Sequence, residues 1–133
     1  MAQSIFPHLT VNDGEAALAF YEKAFGAKIE MKVPAEDKKR LMHASMTIEG
    51  GTVLLVDDFS EFGENGGLQA PTRLSGTSVT VHIEVPDADA AFERATKAGA
   101  TVVMPLGNQF WGARYGKLKD PFGHVWSIGG PVK

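Results

Sequence analysis

The stretch Val11-Asn12-Asp13-Gly14-Glu15-Ala16-Ala17-Leu18-Ala19-Phe20-Tyr21-Glu22-Lys23-Ala24-Phe25-Gly26-Ala27 decides the fold, because its plan begins again at Val85. Ala17, Phe20, Tyr21, Ala24 and Phe25 recur at i, i+3, i+4, i+7 and i+8, which is one apolar face of a helix. Asn12 and Glu15 have capping-box spacing, and Asp13 is an equally good N-cap. Gly26 stands where a helix end takes positive φ. Further on, Val85-Pro86-Asp87 leads into Ala88, Ala91, Phe92, Ala95 and Ala98, a second apolar face closed by Gly99. Asp13 lies 74 positions before Asp87, and Gly26 lies 73 before Gly99. Gly51-Thr52-Val53 likewise matches Gly123-His124-Val125.

Strand signals surround both helices. Residues 4–11 read as a strand, with Pro7 placing it near an edge or bulge. Residues 28–33, 41–48 and 52–56 follow the first helix, and Glu49-Gly50-Gly51 is a hairpin turn. After the second start, residues 77–85 alternate Val79, Val81, Ile83 and Val85 against polar neighbours. Residues 101–104, 115–119 and 124–128 complete the set, the last two joined by the turn Asp120-Pro121-Phe122-Gly123. Each half is therefore β-α-β-β-β. The chain is predicted to be one α+β domain over residues 1–133. It holds two such modules, about 4–57 and about 77–130, related by a pseudo-two-fold axis. Residues 58–76, rich in Gly and poor in aliphatics, connect them. Each curved mixed sheet has one face under its helix and one left to line a cleft.

Composition bounds the partners. A chain of 133 residues, 44% apolar and 22% charged, suits one soluble domain with its own core. The net charge of −3 is spread among mixed signs, which argues against a nucleic-acid partner. The run Glu36-Asp37-Lys38-Lys39-Arg40 reads as a solvated turn. The absence of cysteine excludes disulfides, thiolate catalysis and cysteine-type zinc sites. No basic-then-apolar leader opens the chain, and no apolar run nears the ~20 residues that span a bilayer. A cytoplasmic protein with no membrane partner is the expectation.

The stretch from Asp13 to Ala27, with the pair Gln109-Phe110-Trp111-Gly112-Ala113-Arg114-Tyr115-Gly116 and Asp120-Pro121-Phe122-Gly123-His124-Val125-Trp126-Ser127, resembles the PhnB-like branch of the vicinal-oxygen-chelate superfamily. That superfamily groups glyoxalases, dioxygenases and bleomycin-resistance proteins. Val85-Pro86-Asp87-Ala88-Asp89-Ala90-Ala91-Phe92 resembles its common helix start. The likeness runs from about residue 5 to 129 and is specific for fold, not for reaction. It implies a homodimer with sites in clefts where modules meet. It also raises a metal. In metal-dependent members four ligands come from first and last module strands, and the matching positions here are Phe6, Leu55, Thr80 and Ser127. None is His or Glu, which argues against glyoxalase I and extradiol dioxygenase activity.

Two readings of the site follow. His8 and His82 stand three residues before Val11 and Val85, each two beyond a usual ligand position and so on its strand face. Asp57 stands two past Leu55. One reading is a displaced site in which His8, Asp57 and His82 hold Zn²⁺, Mn²⁺, Fe²⁺ or Ni²⁺ for a lyase, isomerase or dioxygenase-like reaction. The other is a small-molecule binder with no metal and no cofactor. Its ligand would meet His8, Asp57, His82, Glu84, Gln109, Phe110, Trp111, Arg114 and Tyr115. Phe110 and Trp111 would stack on a planar ligand, or Trp111 would pack against a dimer partner, and Arg114 would either pair with an anion or form a salt bridge with Asp120. Glu84 is the candidate buried carboxylate, either as a base or paired with His82. His124 is expected in solvent, His43 either in the cleft or not, and Trp126 in the core. The metal-free binder is the expected function.

Overall fold

The computed structural model describes residues 3–62 and 68–133, so Gly63, Gly66 and Gly67 of the connection lie outside the described residues. The element order is β1 (His8–Val11), α1 (Gly14–Phe25), β2 (Lys28–Pro34), β3 (Leu41–Ile48) and β4 (Gly51–Asp57). A 3-10 turn (Ser60–Phe62) and the short α2 (Pro71–Leu74) follow. Then come β5 (Thr80–Glu84), α3 (Ala88–Ala98), β6 (Thr101–Asn108), β7 (Arg114–Lys119) and β8 (Val125–Gly130). The strands form two four-stranded sheets of identical plan, β1-β4-β3-β2 and β5-β8-β7-β6. In each, the first pair is parallel and the rest antiparallel, so both sheets are mixed.

Several bounds differ from the sequence reading. β1 and β5 start later than residues 4 and 77, because only their C-terminal halves find a partner strand, in β4 and β8. β6 runs four residues beyond Met104, tolerating Pro105 because it lies at the sheet edge, with its register broken there.

The helices form for the reasons their spacing gives. Asp13 caps α1 by accepting from the Ala16 N–H, and Asp87 caps α3 by accepting from the Ala90 N–H. Gly26 ends α1 at φ 67°, where its N–H reaches back to the Glu22 carbonyl and the Ala27 N–H to the Tyr21 carbonyl. The faces that periodicity singles out are the buried ones: Ala17, Phe20, Tyr21, Ala24 and Phe25 on α1, and Ala88, Phe92 and Ala95 on α3. Each large side chain so buried contributes about 1.5–3 kcal/mol.

The core is shared by both modules. Leu9, Val11, Ala44, Met46 and Leu55 of the first sheet and Ile83, Leu118, Trp126 and Ile128 of the second belong to one cluster with both helices. Trp126 packs on Phe25 and Tyr21 of α1, with ring centroids 4.6 and 5.3 Å away. Each sheet turns its other face away from this core, and those two open faces are where a ligand can reach.

Two buried aspartates fasten the modules. Asp120 accepts from Tyr21 Oη at 2.5 Å and Trp126 Nε1 at 2.8 Å on one oxygen. Its other oxygen accepts from the backbone N–H groups of Phe122 and His124. Burial, and then the Asp120 carboxylate, push the Tyr21 hydroxyl well above its ordinary pKa. Asp57 accepts from the Gly14 N–H at 2.8 Å and the Leu41 N–H at 2.7 Å. Burial raises its carboxyl pKa against the pull of those two donors. The stability tied to that shift is whole below the ordinary carboxylate pKa and is lost as pH rises through the folded one. His124, expected in solvent, instead places Nε2 2.8 Å from the Thr10 carbonyl and joins the turn to β1.

Asp120→Ala strands four donors in the core and is predicted to cost about 3–5 kcal/mol in urea unfolding, against about 1.5–3 kcal/mol for Tyr21→Phe. A loss under about 1 kcal/mol for Asp120→Ala would remove Asp120 from this role.

Candidate functional site

The second sheet gathers most of the chemistry. In β5 the residues Thr80, His82 and Glu84 alternate outward while Ile83 is buried. The parallel register sets His82 opposite Ser127 and Glu84 opposite Gly129. From the other side of β8, Tyr115 pairs with Gly129 and Lys117 with Ser127. These residues therefore share the open face.

His82 is held at both ring nitrogens. Nδ1 lies 2.7 Å from Ser127 Oγ, and Nε2 lies 2.7 Å from Glu84 Oε1. A carboxylate only accepts, so Nε2 carries a proton, and in the neutral ring the Ser127 hydroxyl donates to Nδ1. The imidazole also stacks on Tyr115, with centroids 5.7 Å apart and planes at 19°. Trp111 meets Tyr115 edge-on at 5.7 Å, and Phe110 meets Trp111 edge-on at 5.1 Å. The result is a recess of about 400 Å³ with a polar floor (Thr80, His82, Glu84, Ser127) and an aromatic wall (Trp111, Tyr115).

The remaining candidates divide. Gln109 donates to the Gly107 and Tyr115 carbonyls and shapes the base of the 109–113 loop. Phe110 is 97% exposed at the loop tip. Arg114 makes a two-pronged pair with Asp89, at 2.8 Å for each contact, so its fork is occupied. Its partner is not Asp120, whose oxygens already serve Tyr21 and Trp126. Glu84 is paired with His82 as one reading held, but its side chain is 70% exposed, because β5 is a sheet edge. It is not a buried base.

His8 and Asp57 fall elsewhere. His8 lies on the open face of the first sheet, 6.1 Å centroid to centroid from His43. Partial burial, and then His43, lower its pKa. Asp57 is 2% exposed on the core side, with both oxygens taken by backbone N–H groups. The displaced trio His8, Asp57 and His82 is thus not assembled in one chain. Among the described residues no group of three or more His, Asp or Glu comes together to hold a metal. The donors as placed do not fit such an ion, and no metal step is derived.

The reason lies in one residue of register. His8 pairs with Leu54 as His82 pairs with Ser127, so Leu54 is the counterpart of Ser127. Counting from the glycines points instead to Leu55, which is fully buried. A slip of one position exchanges the faces of a strand, and it carried Asp57 with it. The Ser127–His82 contact was missed for a related reason. Pairing across strands, unlike spacing within one, needs the register of β5 against β8.

Gly129 makes the recess possible. A Cβ there would meet His82 Cε1 at 2.8 Å and Glu84 Oε1 at 3.0 Å. Gly129→Ala is predicted to fold but to displace the His82 ring from Ser127, because the far ends of side chains can move. The imidazole ¹⁵N spectrum should then lose the distinction between its two nitrogens. An unchanged spectrum would show that the pair does not depend on this space.

Comparison with known proteins agrees with this architecture. Uncharacterized proteins of Mycobacterium bovis and Mycobacterium tuberculosis H37Rv are each 50% identical over 130 residues, 98% of this chain and 84% and 75% of theirs. The crystal structure of TioX from Micromonospora sp. ML1 is 27% identical with a TM-score of 0.75, covering 98% of this chain and all of that one. The PhnB protein from Bacillus cereus, 18% identical with a TM-score of 0.70 over 98% of this chain and all of its own, shares the fold. No helix among the described residues is long and apolar enough to cross a membrane. The model of the Glyoxalase/Bleomycin resistance protein/Dioxygenase superfamily matches residues 5–128, and the chain belongs to that family.

Proposed function

We propose that the protein binds a small, flat organic molecule on the open face of its second sheet. The observation that carries this reading is a recess joining an aromatic wall, Trp111 and Tyr115, to the oriented polar floor of His82, Ser127 and Glu84. Binding sites combine such apolar walls with a few directed polar groups, in volumes of about 300–1,000 Å³. With both ring nitrogens engaged, His82 has no donor to spare, and among the described residues Glu84 keeps Oε2 as a free acceptor. The recess therefore offers acceptors at its floor to a ligand that donates hydrogen bonds, such as an aromatic amine, amide or phenol, with the Thr80 and Tyr115 hydroxyls able to give or take a hydrogen bond in the same contact. No chemical step is assigned.

One wall does not enclose a ligand, and a second copy of the chain supplies another. Sheet one exposes Met31 and Val33 on β2 and Met42 on β3, apolar surface that self-association would cover. A homodimer is the proposed assembly. Sedimentation equilibrium should give twice the 14.3 kDa chain mass, and a single species of chain mass would overturn the dimer.

The ligand reading is tested by saturation-transfer NMR with a library of planar aromatic amines, amides and phenols. Hits should quench Trp111 fluorescence and bind about tenfold more weakly to Trp111→Ala, which equals about 1.4 kcal/mol for one lost aromatic wall. A library without hits, or hits indifferent to both Trp111→Ala and His82→Ala, would place the site elsewhere.

A further inference from the structure

We propose that His8 and His43, on the open face of the first sheet, form a two-imidazole site for a divalent transition-metal ion. The site is separate from the His82 recess and stands or falls independently of it. β4 lies between the strands that carry the two histidines. His8 shares its row with Leu54 and Ser45, so His43 stands two residues further along β3, and two strand spacings with that offset set the backbones roughly 11–12 Å apart. The ring centroids are only 6.1 Å apart at 84°, so the imidazoles lean toward each other across β4. Two imidazoles on one tetrahedral ion, with metal–nitrogen bonds of about 2.0–2.1 Å, have centroids roughly 5 Å apart. A modest rotation about the side-chain bonds of either residue closes the difference, and neither ring is locked by packing in the core.

The duplication within the chain provides a control. His82, the counterpart of His8, spends one nitrogen on Ser127 and the other on Glu84. In the first module Leu54 takes the place of Ser127, and Thr10 takes the place of Glu84. Among the described residues, neither ring of His8 or His43 enters a hydrogen bond, whereas His124 engages the Thr10 carbonyl. Two converging rings are thus left with nitrogen lone pairs to offer.

The donor set also selects the ion. Imidazole suits Zn²⁺, Cu²⁺ and Ni²⁺, while Mg²⁺ and Ca²⁺ require oxygen ligands. The residues paired alongside on this face, Leu54, Ser45 and Val33, bring no carboxylate. Two protein ligands leave the remaining positions to water or to a small exogenous donor.

The test is calorimetric titration of the untagged full chain with zinc chloride, with histidine ¹H–¹³C NMR in parallel. One Zn²⁺ per chain is expected, shifting the His8 and His43 resonances and leaving those of His82 and His124 in place. His8→Ala and His43→Ala should each weaken binding at least about tenfold, while His82→Ala and added Mg²⁺ leave it unchanged. Should an alanine variant fail to fold by circular dichroism, His8→Phe or His43→Phe keeps the ring volume without the nitrogens. No Zn²⁺ binding, binding that survives the loss of either histidine, or shifts centred on His82 would each overturn the site.

Discussion

The structure depends on one carboxylate held in the core. Asp120 gathers Tyr21 from the first module, Trp126 from the second, and the two backbone N–H groups that shape its own turn. Burying a charge is costly unless every oxygen is satisfied, and here both oxygens accept twice. The arrangement couples local to long-range order. The turn sets the direction of β8, Trp126 locks that strand with its indole inward, and Tyr21 ties both to α1. Because neighbours on a strand alternate, an inward Trp126 sends the Ser127 side chain to the opposite face. The floor of the recess thus follows from a contact made on the other side of the sheet.

Asp57 plays the corresponding part in the first module with less reach. It fastens the start of α1 to the start of β3 through two backbone N–H groups and, among the described residues, engages no distant side chain. Gly14 is needed beside it, since a Cβ there would come within 2.5 Å of Asp57 Oδ2. The connection is anchored differently. Asp58 accepts from the Ala70 N–H and from Arg73, and Arg40 reaches both Asp37 and Glu61. Those contacts hold the Asp37 and Glu61 carboxyls down near about 2, Asp37 through N–H donors and Glu61 through the Arg40 guanidinium. The Arg40 pairs with Asp37 and Glu61 lie largely in solvent, where such pairs contribute little to stability, so they shape the loop without carrying the fold, whereas the Asp58 side chain is buried.

Much of this was legible in the sequence. Helical periodicity picked out the buried faces of α1 and α3, and the repeat gave two modules of one plan. Trp126 reads as core, and Glu84 as sharing the face of His82, either as a buried base or as its partner, of which the structure keeps the second. What escaped was whatever depends on register between strands or on which of several ions is nearest. Arg114 had Asp120 near it in sequence, yet Asp89, on α3, lies closer in space. Asp57 was placed beside His8 by a count that slipped one residue, and a strand turns such a slip into the opposite face. The Ser127 hydroxyl, an unpromising ligand when considered alone, gained its role only when β5 was laid against β8 in register.

The two open faces show how a duplicated scaffold diverges. The backbone gives His8 and His82 the same position, and the difference between them arises from two neighbours. Ser127 and Glu84 fix one ring and its direction, which suits the proposed role of presenting a constant pattern to an organic ligand. Leu54 and Thr10 leave the other ring without a hydrogen bond among the described residues, free to turn toward His43. A hydrogen-bonded imidazole is preorganised but spent, while an unpartnered one keeps its lone pair for a ligand from outside. The same histidine at the same place in the fold can therefore serve recognition in one module and coordination in the other, and the choice is made by the residues beside it rather than by the histidine itself.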